Sequence, residues 1–147
     1  MNILGICNAN VSGAALLIDG EVAACVNEER FSRIKNDRAF PVQSVDYCLK
    51  YAGLKRSDID YVPCGGWGGL DETFLPQLVG ELMETALADP AAIPQIKDRT
   101  RVSVERDHQA RAENTEAILG LGFRRDQINY FDHHLSHAYT AVLSFAI

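Results

Sequence analysis

The sequence predicts an α/β domain: a mixed five-stranded sheet with helices on both faces, in the chain order βββαβαβα. Three observations predict it. The first thirty residues hold apolar runs of strand length, two of them joined by Asp19-Gly20. At Pro41 the apolar period changes from that of strands to that of a helix. Beyond it, short apolar runs alternate with long helical stretches, as in a partly parallel sheet.

Ile3 to Cys7, Gly13 to Ile18 and Glu21 to Glu29 are the first strands. Asp-Gly between two such runs suits a type I′ turn, which needs positive φ at both central positions. The runs are apolar on both faces, as in central strands covered on both sides. Pro41 to Ala52 is a helix with Val42, Val45, Leu49 and Ala52 on one stripe and Gly53 at its end. Asp60 to Cys64 is a fourth strand. The glycines from Gly65 to Gly69 around Trp67 follow it. No Lys-Ser/Thr pair accompanies them, so they form a turn and not a P-loop. Asp71 to about Ala88 is a second helix. Residues 90–102, with Pro90 and Pro94, are a loop. Ser103 caps a third helix closed near Gly120 and Gly122. Gln127 to Asp132 is a fifth strand, and a last helix begins at His133 and carries Ala138, Ala141, Val142 and Phe145.

The chain has 147 residues, 47% hydrophobic and 23% charged, with a net charge of −6. One domain with a real core fits, and disorder does not. The acidic balance disfavours a nucleic-acid or membrane surface, so neither partner is expected. Cys7, Cys25, Cys48 and Cys64 are widely spaced, with no C-x-x-C signature. Cys7, Cys25 and Cys48 lie in apolar runs and read as buried thiols of a reducing, cytoplasmic compartment. The apolar stop at Ser144–Ile147 suits either a docked terminal helix or a fragment of a longer protein.

Three clusters offer chemistry. Asp132-His133-His134-Leu135-Ser136-His137 puts His133 and His137 four apart, the spacing with which one helix face offers two imidazoles to a metal. Asp132 would be a further ligand or an acceptor behind one. The same pattern also fits a capped helix start with surface imidazoles. His108 stands alone on a polar helix and faces solvent. The segment from Glu28 to Arg38 is dense in charge. It reads either as a solvated loop of weak ion pairs or as an anion site on Arg33, Lys35 and Arg38, with the acids orienting them. The loop from Asn8 to Gly13 reads either as a hairpin turn or as a place where a ligand approaches the backbone, beside Asn10 and Ser12.

Taken together these residues resemble one family. Ile3-Leu4-Gly5-Ile6, the run Ser12 to Glu21, the block Asn27-Glu28-Glu29-Arg30-Phe31-Ser32-Arg33-Ile34-Lys35, Phe40-Pro41 and the block Asp132 to Ala138 look like the N-terminal part of the O-carbamoyltransferases of the nodulation-protein-U type. The resemblance covers essentially the whole chain. It implies one half of an actin/Hsp70-like (RNase H-like) domain, related to the tRNA threonylcarbamoyl-transfer proteins. It implies a reaction in which carbamoyl phosphate and ATP give a carbamoyl-adenylate, whose carbamoyl group passes to a hydroxyl of a small-molecule acceptor.

It also implies site residues. Lys35 would contact phosphate or carbamoyl oxygens as a catalytic group. Asn10, Ser12 and Arg33 would join it in binding substrate. His133 and His137 would hold a divalent metal, usually iron. Residues 1–147 would be the first half of the transfer domain, silent without the second half and the adenylate-forming domain. A half-domain of this kind exposes an apolar face and is open to self-association. The family usually has His-Asp before the first loop's Ser-Gly, where this chain has Asn10 and Val11. Asparagine cannot serve as a general base near neutral pH, so any proton removal by that histidine is lost. The competing reading is a metal- or partner-binding module with the same half-fold and no reaction.

Overall fold

The computed structural model describes residues 1–9, 11–65, 80, 83–84, 87 and 89–131. The first three strands, β1 (Asn2–Cys7), β2 (Gly13–Ile18) and β3 (Glu21–Asn27), form an antiparallel meander. Asp19 and Gly20 have φ of 52° and 91°, as the predicted turn requires. The β2–β3 register shifts after Leu16, which leaves Ala23 as the extra residue of a bulge. A one-turn helix, α1 (Glu29–Ser32), follows β3. The next helix, α2 (Val42–Ala52), ends on Gly53 at φ 67°, as its sequence predicts.

Strand β4 (Val62–Gly65) and strand β5 (Ile128–Phe131) complete the sheet. The spatial order is β3-β2-β1-β4-β5, with β4 parallel to β1 and β5 parallel to β4. The chain is thus of the α/β class with a mixed five-stranded sheet.

Leu4, Ile6, Ala14, Leu16, Ala24, Val62 and Cys64 fall on one face by register, and Val45, Cys48 and Leu49 of α2 close over them. The helix α3 (Ile93–Gly120) packs on the same face farther along. Its Thr115 hydroxyl lies 2.8 Å from the Tyr130 hydroxyl, and its Ile118 joins the core. Both described helices of length therefore lie on one side of the sheet. The expected last helix, at 133 onward, lies outside the described residues, as do residues 66–69 of the glycine turn. Most of the expected helix from Asp71 to Ala88 does too, although Gly80, Met83, Glu84 and Leu87 have helical backbone.

Five expectations need correction. Residues 90–102 are not a loop: a 3₁₀ turn over Pro90–Ala92 leads directly into α3. Both prolines sit in first turns, where no amide hydrogen is required, and the Asp89 side chain accepts from the Ala91 amide at 3.2 Å. Ser103 is therefore interior to a 28-residue helix and not its cap. Cys7 and Cys25 are exposed, not buried, whereas Cys48 is buried as expected. Both exposed thiols lie on the sheet face away from α2, and Cys25 also belongs to the edge strand. For the same reason the strands are not covered on both sides along their length: β3 leaves Val22 66% exposed. Val42 points to solvent as well, and the buried stripe of α2 is Ser44, Val45, Cys48 and Leu49.

Among the described residues no helix is long and apolar enough to cross a membrane.

Candidate functional site

The charged segment after β3 sorts its charges by sign. Its acids turn inward and its bases turn outward. Glu28 is 3% exposed and Asp37 8%, while Arg30, Arg33, Lys35 and Arg38 all face solvent. The reason is local hydrogen bonding. Pro41 stands where α2 needs a capping side chain and has none to offer. The Glu28 carboxylate takes that place. It accepts from the Gln43 amide at 3.0 Å, the Gln43 Nε2 at 3.3 Å, the Ser44 amide at 2.8 Å and the Ser44 Oγ at 2.6 Å. The Glu29 carboxylate accepts from the Asn36 amide at 2.9 Å, and its contact with Arg30 is loose at 4.0 Å. The Asp37 carboxylate accepts from the Ala39 amide at 2.8 Å. The Ser32 hydroxyl, together with that amide, holds its pKa below the ordinary carboxylate value.

The three acids are thus largely engaged by backbone and hydroxyl donors. The four bases stand as a crest whose outward charge the sequence sum conceals. Two turns shape the crest. Arg33 and Asn36 have φ of 62° and 55°, in the left-handed region that costs a side-chain-bearing residue about 1–2 kcal/mol. Such strain is held only where surrounding contacts fix the chain, and it concentrates at functional segments.

The crest is tied to the β1–β2 loop. The Ser12 amide and the Ser12 Oγ both donate to the Asp37 carbonyl, at 2.9 and 3.1 Å, and the Ser12 carbonyl accepts from the Glu28 amide at 2.9 Å. Ser12 is fully buried. The structure therefore brings Ser12 into contact with the segment that carries Arg33 and Lys35, as a joint between the two loops. Val11 is 36% exposed, and its carbonyl accepts from the Cys7 thiol at 3.8 Å. Asn10, His133 and His137 lie outside the described residues.

Two further features flank this loop. A shallow trough of about 360 Å³ lies on the sheet face away from α2, lined by Cys7, Val11, Gly13, Cys25, Asn27 and Phe131 among others. Partial desolvation of the sulfur pushes the pKa of the exposed Cys7 thiol up, so the thiolate is disfavoured there. On the other side, Asn8 Nδ2 donates to Asn114 Oδ1 of α3 at 2.6 Å. One turn away Arg111 Nε lies 3.5 Å from the buried Asp107 a further turn back, and the Arg111 guanidinium lies 5.5 Å from the centre of the Tyr130 ring. These contacts fix α3 against the carboxyl ends of β1 and β5, the end at which open α/β sheets bind ligands. His108 is exposed, as its polar helix predicts.

Among the described residues no group of three or more His, Cys, Asp or Glu side chains converges as a metal site. Sequence reasoning gave the acids of this segment an orienting role but did not single out Glu28 or Asp37, nor their hold on the start of α2 and on the β1–β2 loop. The signal was present: a helix that starts on proline needs an acceptor from elsewhere, and the charged segment was the nearest source.

A family model described as the carbamoyltransferase N-terminus matches residues 2–145. Nodulation protein NolNO of Sinorhizobium fredii is 32% identical over 131 residues, which is 88% of this chain and 17% of that protein. An uncharacterised protein of Synechocystis is 49% identical over 51 residues, 35% of this chain and 8% of its own length. Another, from Methanocaldococcus jannaschii, is 44% identical over 64 residues, 44% of this chain and 12% of its own length. The matched part is less than a fifth of each of these three relatives.

Proposed function

The chain belongs to the carbamoyltransferase N-terminal family, and from that premise we propose that it serves transfer of a carbamoyl group to a hydroxyl of a small-molecule acceptor. The donor is a carbamoyl-adenylate made from carbamoyl phosphate and ATP. The observation that carries the reading is the charge sorting: Arg33, Lys35 and Arg38 are exposed, while Glu28 and Asp37 are turned inward. A cluster of cations relieved of its acids suits an oxyanion or a phosphate.

In this reading Lys35 is the catalytic cation. Its ammonium donates to the phosphoryl or carbamoyl oxygens, where negative charge grows as the acceptor oxygen attacks the carbamoyl carbon. The new C–O bond forms, the bond to the adenylate phosphate breaks, the phosphate keeps that electron pair, and the hydroxyl proton passes to the leaving phosphate or to water. Arg33 clamps the leaving phosphate through its planar fork. Ser12, fully buried, serves binding by fixing the β1–β2 loop to Asp37, and Asn10 of the same loop would contact the substrate. With Asn10 and Val11 in the places where the family usually has His-Asp, this loop brings no general base.

His133 and His137 would hold a divalent metal, iron in our reading. Two imidazoles are donors of the right kind for a borderline ion, though short of a full set. When bound, such an ion would polarise the carbamoyl carbonyl as a Lewis acid. The sheet order β3-β2-β1-β4-β5, with β2 antiparallel to its neighbours, supports the further proposal that the chain is half of an actin/Hsp70-like domain. A half-domain has no nucleotide cleft, so these residues alone are silent, and the protein works in the cytoplasm as part of a larger transferase.

The test is a calorimetric titration with carbamoyl phosphate. Lys35→Ala weakens binding about tenfold, equivalent to about 1.4 kcal/mol. Equal affinity of the two proteins would remove Lys35 from the site. The 147-residue chain given ATP and carbamoyl phosphate releases no pyrophosphate; steady release would show that it needs no second half.

A further inference from the structure

We propose that Glu28 is a positioning residue, one whose buried carboxylate holds Arg33, Lys35 and Arg38 in the arrangement that takes an anion. The inference rests on the anion-binding role given to Lys35 above. Glu28 is joined to its surroundings in three directions. Its carboxylate fills the amino end of α2 through four accepted hydrogen bonds. Its amide donates to the Ser12 carbonyl, and Ser12 in turn donates twice to the Asp37 carbonyl, inside the crest. Its carbonyl accepts from the Phe31 and Ser32 amides at 2.9 and 3.0 Å, which starts α1.

Capping α2 by itself asks for far less. A Ser, Thr or Asp in the place of Pro41 would satisfy those amides locally. Here the acceptor comes from 15 and 16 residues earlier in the chain. The consequence is a closed ring from the start of α1 through the crest to the start of α2, with Glu28 at its junction. Glu28 is 3% exposed. Burial of a charge is costly unless donors replace its water, and two amides, a hydroxyl and a helix amino end do so. The ring lets the crest keep left-handed residues at Arg33 and Asn36, with Arg33, Lys35 and Arg38 exposed. Glu28 itself touches no substrate and shapes the group that does.

The test uses the full chain with Glu28→Gln and Glu28→Ala. Inorganic phosphate is the binding probe, and amide hydrogen exchange reports on residues 12 and 33–44. The amide of Glu28→Gln keeps the side-chain volume but offers one acceptor oxygen where two served four donors. Phosphate affinity then falls about tenfold, the size expected when charge-assisted hydrogen bonds are lost. Exchange quickens at Ser12, Asn36 and Ala39 as well as at Gln43 and Ser44. Formate restores both readouts in Glu28→Ala, because a small carboxylate fits the vacated place; chloride at equal ionic strength does not. A general loss of folding would not respond to formate in this selective way.

Glu28→Gln with wild-type phosphate affinity and faster exchange confined to residues 43 and 44 would overturn the proposal and leave Glu28 a helix cap. Wild-type protein that binds no phosphate would overturn the role of Lys35. In that case the exchange profile still decides whether Glu28 holds the crest. If Glu28→Ala does not fold, Glu28→Gln carries the comparison.

Discussion

Gly5 and Gly13 sit on neighbouring strands, and both border the same trough. A sequence reader would treat them alike, and the structure separates them. A Cβ built on Gly13 meets the Val26 carbonyl oxygen at 2.7 Å and the Asn27 Oδ1 at 3.0 Å. The first of these is backbone in the adjacent strand, so it cannot rotate away. Gly13→Ala must push β2 and β3 apart by several tenths of an ångström at the pair Gly13–Asn27. Overpacking of this kind costs about 1–3 kcal/mol.

For a chain of this length that lowers Tm by roughly 3–10 °C. A Cβ on Gly5 meets only the Ala15 carbonyl oxygen, at 3.7 Å, an ordinary contact. Gly5→Ala also removes unfolded-chain freedom, worth about 0.4–1 kcal/mol in favour of the fold. Urea and thermal melts of the two variants against wild type decide the matter. Gly13→Ala melting within about 1 °C of wild type, or Gly5→Ala melting below Gly13→Ala, would show that the β2–β3 contact does not govern the cost.

Three other outcomes are expected. Gln127→Ala destabilises by about 1–3 kcal/mol. It strands the Ile59 carbonyl, which the Gln127 amide group meets, and the Arg124 amide, which donates to Gln127 Oε1 at 2.7 Å; an unchanged urea midpoint would contradict this. Cys7 and Cys25 react with a thiol reagent in the native state, while Cys48 and Cys64 react only after unfolding; four equal rates would refute the burial pattern. Burial pushes the Cys48 and Cys64 thiols up to about 11 and about 12, above their ordinary value of 9.0. Between pH 9 and 12 the unfolded chain therefore releases protons that the folded chain keeps. Stability from these thiols is full below pH 9 and falls as pH rises through that window. Replacing both thiols with alanine flattens the decline in a pH series of melts, and a curve as steep as wild type would exclude them as its cause.

The sequence by itself determined the strands, their chain order, the Asp19-Gly20 turn and the helix ending at Gly53, because local rules govern them. Positive φ at a turn, a helical stripe and a glycine stop act over a few residues. It also pointed to the family through the block from Asn27 to Lys35 and the histidine block, which are patterns of residue type. Pro90 and Pro94 misled, since a proline reads equally as a breaker or as a helix start until the helix is seen. Cys25 misled because an apolar run does not say that its strand is the edge.

Only tertiary structure decided what the charged segment presents. Its acids and bases are neighbours in sequence, so three acids against four bases leave a sum of only +1. Which of them faced solvent depended on where α2 began, fifteen residues on, with amides that needed Glu28. Hydrogen-bond demand from a distant helix end turned a mixed run of charges into a basic crest; Pro41 signals that demand in the sequence, but not which acid answers it.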